Sequence, residues 1–194
     1  QKAGLNVDEE FMKEIETLKK SYDGKGPKDN LCLNHGDLHP GSVMAHAETS
    51  SVKVIDPEFT VYGPPGLDVG SLLSGYVLAA VHQAYSKNIE AVTSVCDGAK
   101  AVWGAYKAEM EAGGIEPEMM KKIEVNSVGF AVAEVCRTAM EYAGGRKWLQ
   151  FDDLEIKNKS RRAALKIVQD CMVHRHEGGI ELLFSKMQAL EETN

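Results

Sequence analysis

The 194-residue sequence predicts an α+β fold that is predominantly α-helical, with one small β element near its start. Three observations carry this expectation. After Gly66, apolar residues recur at three- and four-residue steps almost to the end of the chain, the period of helices that pack by one face. Between residues 31 and 62 the pattern changes to short β-compatible runs, LCLNH, SVMAH and VKVID, separated by Gly, Pro and polar residues. A content of 43% hydrophobic and 26% charged residues can bury a core, and a chain of this length gives one compact domain, residues 1–194.

The first element is an amphipathic helix in VDEEFMKEIETLKKSY, residues 7–22. Phe11, Ile15 and Leu18 share one stripe, Asp8 fits the cap, and acidic residues fill the first turn. YDGKGPKDN, residues 22–30, has the composition of a connecting loop and resembles no phosphate-binding loop. Three short strands follow, two of them forming a hairpin, with GDLHPG and AETSS as the breaks between runs. DPEFTVYGPPG, residues 56–66, reads as a Pro/Gly-rich loop. Helices are expected near 67–86, 88–112, 117–143, 155–175 and 179–190, with turns at AGGIEP, AGGRKWLQFDD and HEGG. Trp103 and Trp148 read as core or turn aromatics, and neither a repeat nor a low-complexity segment is present.

A net charge of -7 and a pI near 5.4 argue against a chain whose main task is gripping nucleic acid or an anionic membrane by charge. A small molecule or a protein is the expected partner. Cys32, Cys96, Cys136 and Cys171 lie far apart without C-x-x-C spacing, so they are expected to be reduced and mostly buried rather than metal-binding. The strongest apolar run, around YVLAAV, is too short to span a bilayer, and a cytoplasmic location is expected. The sequon Asn158-Lys159-Ser160 then carries little weight. Gln1 in place of Met reads as a processed or truncated chain.

The chemistry gathers in the β element. Asp37 lies in a Gly-flanked loop, Asp56 ends VKVID, and Glu58 follows two residues later. If SVMAH pairs with VKVID, the loop before the first strand lies beside the loop after the second, and Asp37 faces Asp56 and Glu58. Clustered carboxylates raise one another's pKa unless a cation separates them, which suits a hard ion such as Mg²⁺ and leaves one carboxylate as a base. Phosphoryl transfer needs that division of labour. His35 is expected to pin the loop through side-chain hydrogen bonds. The role of His39 stays open, and His46, His82, His174 and His176 read as ordinary surface or packed histidines.

HGDLHPGSVM followed by KVIDPEFTVYGPPGLDVGSLL resembles the catalytic lobe of the aminoglycoside-phosphotransferase-like kinases, and within them the methylthioribose kinase branch. That group has Asn five positions after the catalytic-loop Asp, where this chain has Ser42. In the branch reading DPEF, the Glu makes the metal contact otherwise made by that Asn. The resemblance implies a protein-kinase-like C-lobe in which a small β-hairpin carries the catalytic and metal loops. It implies Asp37 as catalytic base, Asp56 and Glu58 as Mg²⁺ ligands, and Asp68 as a brace of the catalytic loop that also fits an N-cap. It further implies ATP as phosphoryl donor, 5-methylthioribose as acceptor, and a step of methionine salvage. The branch binds its sugar partly through an arginine pair in a segment like AEVCRTAMEYAGG. Arg137 fits one member, and Thr138 stands where the second is expected. Arg161-Arg162 is another pair, read as a solvated face.

The chain contains neither a GxGxxG run after a strand nor a VAIK-like strand. A nucleotide-binding N-terminal lobe is therefore expected elsewhere in a longer protein, with low activity for these residues alone. An exposed apolar patch would remain where that lobe docks, and with it a tendency to form homodimers. Three other readings stay open: a two-metal phosphoesterase using His35, Asp37, His39, Asp56 and Glu58; a non-catalytic kinase-like binding module; and a kinase for choline, homoserine or an aminoglycoside.

Overall fold

The structure, a computed structural model, describes residues 4–25, 31–142 and 148–192. It is an α+β fold dominated by helices. Helix α1 (Glu9–Tyr22) starts where Asp8 accepts a hydrogen bond from the Phe11 amide at 2.9 Å, with Glu9 and Glu10 at its positive end and Lys19 and Lys20 at its negative end. Phe11 and Leu18 are buried. Residues 26–30 of the expected connecting loop lie outside the described residues.

Four short strands follow: β1 (Cys32–Asn34), β2 (Val43–Ala45), β3 (Val52–Val54) and β4 (Val61–Gly63). The expected hairpin is β2 with β3, Val43 opposite Val54 and Ala45 opposite Val52. β4 corrects the reading of residues 56–66 as loop alone: Val61–Gly63 pairs antiparallel with β1, Cys32 opposite Gly63 and Asn34 opposite Val61. The β1–β4 ladder thus encloses the β2–β3 hairpin, and the two stretches between the ladders, 35–42 and 55–60, run antiparallel side by side.

The rest is helical: α2 (Gly66–Tyr85), α3 (Ile89–Ala112), α4 (Pro117–Ala139) and α5 (Leu154–Gln188). Residue 143 of the expected fourth helix and 143–147 of the turn after it lie outside the described residues. α5 is two helices meeting at Gly179, whose φ of 54° and ψ of -149° break the helix at the expected HEGG turn. The amide of Ile180, freed by the break, donates to Glu124 Oε1 at 2.8 Å. The core runs along α2, where Leu73, Val77, Leu78, Ala80 and Val81 are buried, and α2 packs on α4 and α4 on α5. Trp103 joins this core and Trp148 packs against it. The cysteines are free, Cys96 and Cys171 buried and Cys32 and Cys136 only half-buried. Among the described residues no helix is long and apolar enough to cross a membrane.

One buried ion pair ties the first helix to the last. Arg175, 1% exposed, reaches Glu14 Oε2 at 2.8 Å and also donates to the carbonyls of Glu14 and Met172. His176, on the surface as expected, contacts the same Glu14 oxygen at 2.9 Å and so adds to the anchor of α1.

Candidate active site

The loop between β1 and β2 is held from three sides. Asp68, in the first turn of α2, accepts from the amides of His35 at 2.5 Å and Gly36 at 2.9 Å. It is not the N-cap, which is Pro65, so its carboxylate serves the loop rather than its own helix. His35 Nε2 lies 2.8 Å from the carbonyl of Ile55, while its Nδ1 faces the Asp37 amide at 3.4 Å. Both contacts are satisfied by one neutral tautomer, with the proton on Nε2 and the lone pair on Nδ1. Ser42 is buried, and its hydroxyl donates to the Asp37 carbonyl at 3.1 Å.

Gly36 is required twice over. Its φ is +87°, and a Cβ there would sit 2.0 Å from the carbonyl oxygen of Phe59. The two inter-ladder loops therefore touch backbone to backbone at this residue. Pro40, farther along the loop, packs against Gly75 of α2, where an added Cβ would come within 2.4 Å of the ring. The backbone before and after Asp37 is thus fixed to the helical core.

On the facing loop, Asp56 does not end strand β3 as its place in VKVID suggested. The strand stops at Val54, and Asp56 adopts a left-handed conformation, φ 68° and ψ 49°, before the 3₁₀ turn Pro57–Phe59. Its side chain makes no capping hydrogen bond, and both Asp56 and Glu58 are exposed. Such backbone in a non-glycine residue is strained and is tolerated best by Asp and Asn. Two exposed carboxylates suit Mg²⁺, which takes one or two carboxylates and fills its remaining positions with water and phosphate oxygens. Among the described residues, no three His, Cys, Asp or Glu side chains gather closely enough to hold an ion by themselves.

The His-x-Asp-x-His stretch is not an extended strand with one polar face, because Gly36 turns the chain. His39 Nδ1 caps the next turn by accepting from the Gly41 amide at 3.0 Å, and its Nε2 points toward Asp37 Oδ2 at 3.7 Å. With His35 committed to backbone groups on both nitrogens, the two-metal histidine cluster loses its premise.

Asp37 opens onto a cavity of about 500 Å³ lined also by Tyr22, Phe59, Leu67, Ser71, Phe130, Ala133, Glu134 and Arg137. Phe130, Ala133, Glu134 and Arg137 follow i, i+3, i+4, i+7 spacing on α4, so one stripe of that helix forms a wall. Leu67 and Ser71 of α2 form another. Arg137 and Asp37 thus share a cavity although they lie far apart in sequence. Thr138, one step round the helix, points the other way: it is 5% exposed, and among the described residues its hydroxyl has no hydrogen-bond partner. A second arginine at that position would enter the core rather than the cavity.

Glu134 was missed by sequence reasoning. Its Oε2 accepts from Arg137 Nη2 at 2.7 Å and Nε at 3.1 Å. The signal was present, because stepping back three residues from Arg137 on a helix reaches it. Arg161 departs from the solvated face expected of it. Its side chain is 17% exposed and paired with Glu141, whose carboxyl is held below the usual range by Arg161 and, less strongly, Lys157. Arg162 is exposed. Burial, with the nearby Asp68 charge adding to it, raises the pKa of the Cys32 thiol at the end of the Asp37 loop.

Residues 2–95 match the phosphotransferase enzyme family. Over that stretch the chain is similar to a phosphotransferase. It is 31% identical over 169 residues to the methylthioribose kinase of Exiguobacterium sibiricum, covering 82% of this chain and 42% of that protein. It is 31% identical over 157 residues to that of Geobacillus thermodenitrificans, covering 75% and 38% respectively. A methylthioribose kinase of Bacillus cereus is 27% identical over 195 residues, 93% of this chain and 48% of that protein. The matched region is less than half the length of each of these curated relatives.

Proposed function

We propose that this chain is the catalytic part of an ATP-dependent kinase that transfers the γ-phosphate to the 1-hydroxyl of 5-methylthioribose, a step of methionine salvage in the cytoplasm. The observation that carries this reading is the shared cavity of Asp37 and Arg137. One end of it offers a carboxylate and a guanidinium for sugar hydroxyls. Tyr22, Phe59, Leu67 and Phe130 supply apolar surface for a thioether tail. A cationic acceptor such as choline would sit beside Arg137, which disfavours that alternative.

In this mechanism Asp37 orients the anomeric hydroxyl and receives its proton as the oxygen attacks the γ-phosphorus. The bond from that phosphorus to the bridging oxygen breaks, and ADP leaves. The clamps on the Asp37 backbone, His35 at its amide and Ser42 at its carbonyl, keep the carboxylate from drifting, which is the positioning that phosphoryl transfer demands. Asp56 and Glu58 would hold Mg²⁺, which when bound neutralises charge on the donor phosphates. Arg137 binds the sugar. The matched region spans less than half of each curated relative, which supports placing the nucleotide-covering lobe outside these 194 residues, and on this reading they turn over little by themselves.

The test is ADP release by the full-length protein with Mg-ATP and 5-methylthioribose. Wild type turns over, and Asp37→Asn loses at least about a hundredfold in kcat, the scale of a general base. A silent wild type defeats the acceptor assignment, and an active Asp37→Asn defeats the role of Asp37.

A further inference from the structure

We propose that Glu134 is a positioning residue of the acceptor site, acting through Arg137; this rests on the reading of the cavity as the sugar site. An arginine on an exposed helix face samples many rotamers, and its side-chain entropy is lost each time it binds a ligand. Here both Nε and Nη2 of Arg137 donate to Glu134 Oε2, at 3.1 and 2.7 Å. Two donors from one planar group to one oxygen fix the plane of the guanidinium as well as its place. Three N–H groups of Arg137 remain, on Nη1 and the outer side of Nη2, to meet hydroxyl oxygens in the cavity.

The placement is specific to the cavity wall. Glu134 and Arg137 lie on the same α4 stripe as Phe130 and Ala133, and all four line the space that Asp37 enters. Glu134 therefore sets the angle at which Arg137 presents its donors relative to the Asp37 carboxylate. As a stabilising element the pair is minor, because exposed i,i+3 ion pairs contribute little to folding. A role in ordering a ligand contact is what separates it from the other surface pairs of this protein.

The experiment is steady-state kinetics of the full-length protein with Mg-ATP and 5-methylthioribose, comparing wild type, Glu134→Gln, Arg137→Ala and the double variant. Glu134→Gln is expected to raise the sugar KM about tenfold, the effect of losing one charge-assisted contact. The KM for ATP stays at its wild-type value, and the melting temperature stays within about 3 °C of wild type. In sugar KM the double variant matches Arg137→Ala within about twofold, because the sugar contact that Glu134 orders is already lost with Arg137. An unchanged sugar KM in Glu134→Gln overturns the proposal while leaving the kinase reading in place, as does a double variant whose losses multiply. A wild type silent with this sugar overturns the kinase reading and the proposal with it.

Discussion

Asp68 shows how a single carboxylate can decide whether a loop is a site. Its two oxygens take the amides of His35 and Gly36, which leaves the intervening backbone no freedom to turn Asp37 away from the cavity. Asp68→Ala removes both acceptors and leaves two half-buried amides without them, which costs about 2–3 kcal/mol. Urea denaturation should show that loss, and kcat should fall with little change in the KM for ATP. A variant with wild-type kcat would sink the brace. At this scale the sequence was legible where chemistry is local. The loop of Asp37 and the loop of Asp56 and Glu58 could be placed side by side once β2 and β3 were paired, and they meet at Gly36 and Phe59, but among the described residues no three such side chains gather into a cluster. It was not legible where direction matters: Thr138 follows Arg137 in the chain, but about 100° of helical rotation turns it into the core. The same rotation puts Glu134, three residues earlier, back on the cavity wall.

Among the elements, the helices could be read because each repeats its apolar period over many residues, and even the break at Gly179 is announced by two glycines. Strand β4 could not. Val61–Gly63 is three residues long, stands between two Pro/Gly-rich stretches, and finds its partner in β1 nearly thirty positions upstream, so no local pattern marks it. Glu14 and Arg175 were hidden for the same reason, as a charged pair on helices far apart in sequence that only tertiary packing brings together. Burial lowers the Arg175 pKa, and Glu14 opposes that shift. Because the pair is buried, removing Arg175 leaves the Glu14 carboxylate with only the exposed His176 beside it among the described residues. Arg175→Met should therefore destabilise by about 3–5 kcal/mol, and adding Glu14→Gln should recover part of the loss rather than deepen it. Additive losses in a denaturation cycle would show that the two residues act independently.

The whole molecule divides into a sealed helical half and an open β half. Leu33, Met44, Val52, Val54, Phe59 and Tyr62 are all exposed on the β element, while α3 buries Cys96 and Val92 and α5 buries Cys171 and Val168. That division makes alkaline stability a property of the helical core. Burial is the main cause that pushes the Cys96 thiol up to about 11 and that of Cys171 to about 12, from 9.0. Both folded-state values are raised, so their stabilising contribution is complete below pH 9, where thiols are protonated whether the chain is folded or not. Above pH 9 the unfolded chain releases these protons and the folded one does not, so stability falls as pH rises through the values of Cys96 and then Cys171. The urea midpoint should stay level up to about pH 9 and drop from there to pH 11. Lysines and tyrosines titrate over the same range, so the decisive quantity is the difference in slope between wild type and Cys96→Ala/Cys171→Ala. The double variant starts lower because of the cavities it creates, and it should lose less with each further unit of pH. Parallel slopes would mean that the two thiols ionise without opening the core, and that the helical half is less tightly sealed than its packing indicates.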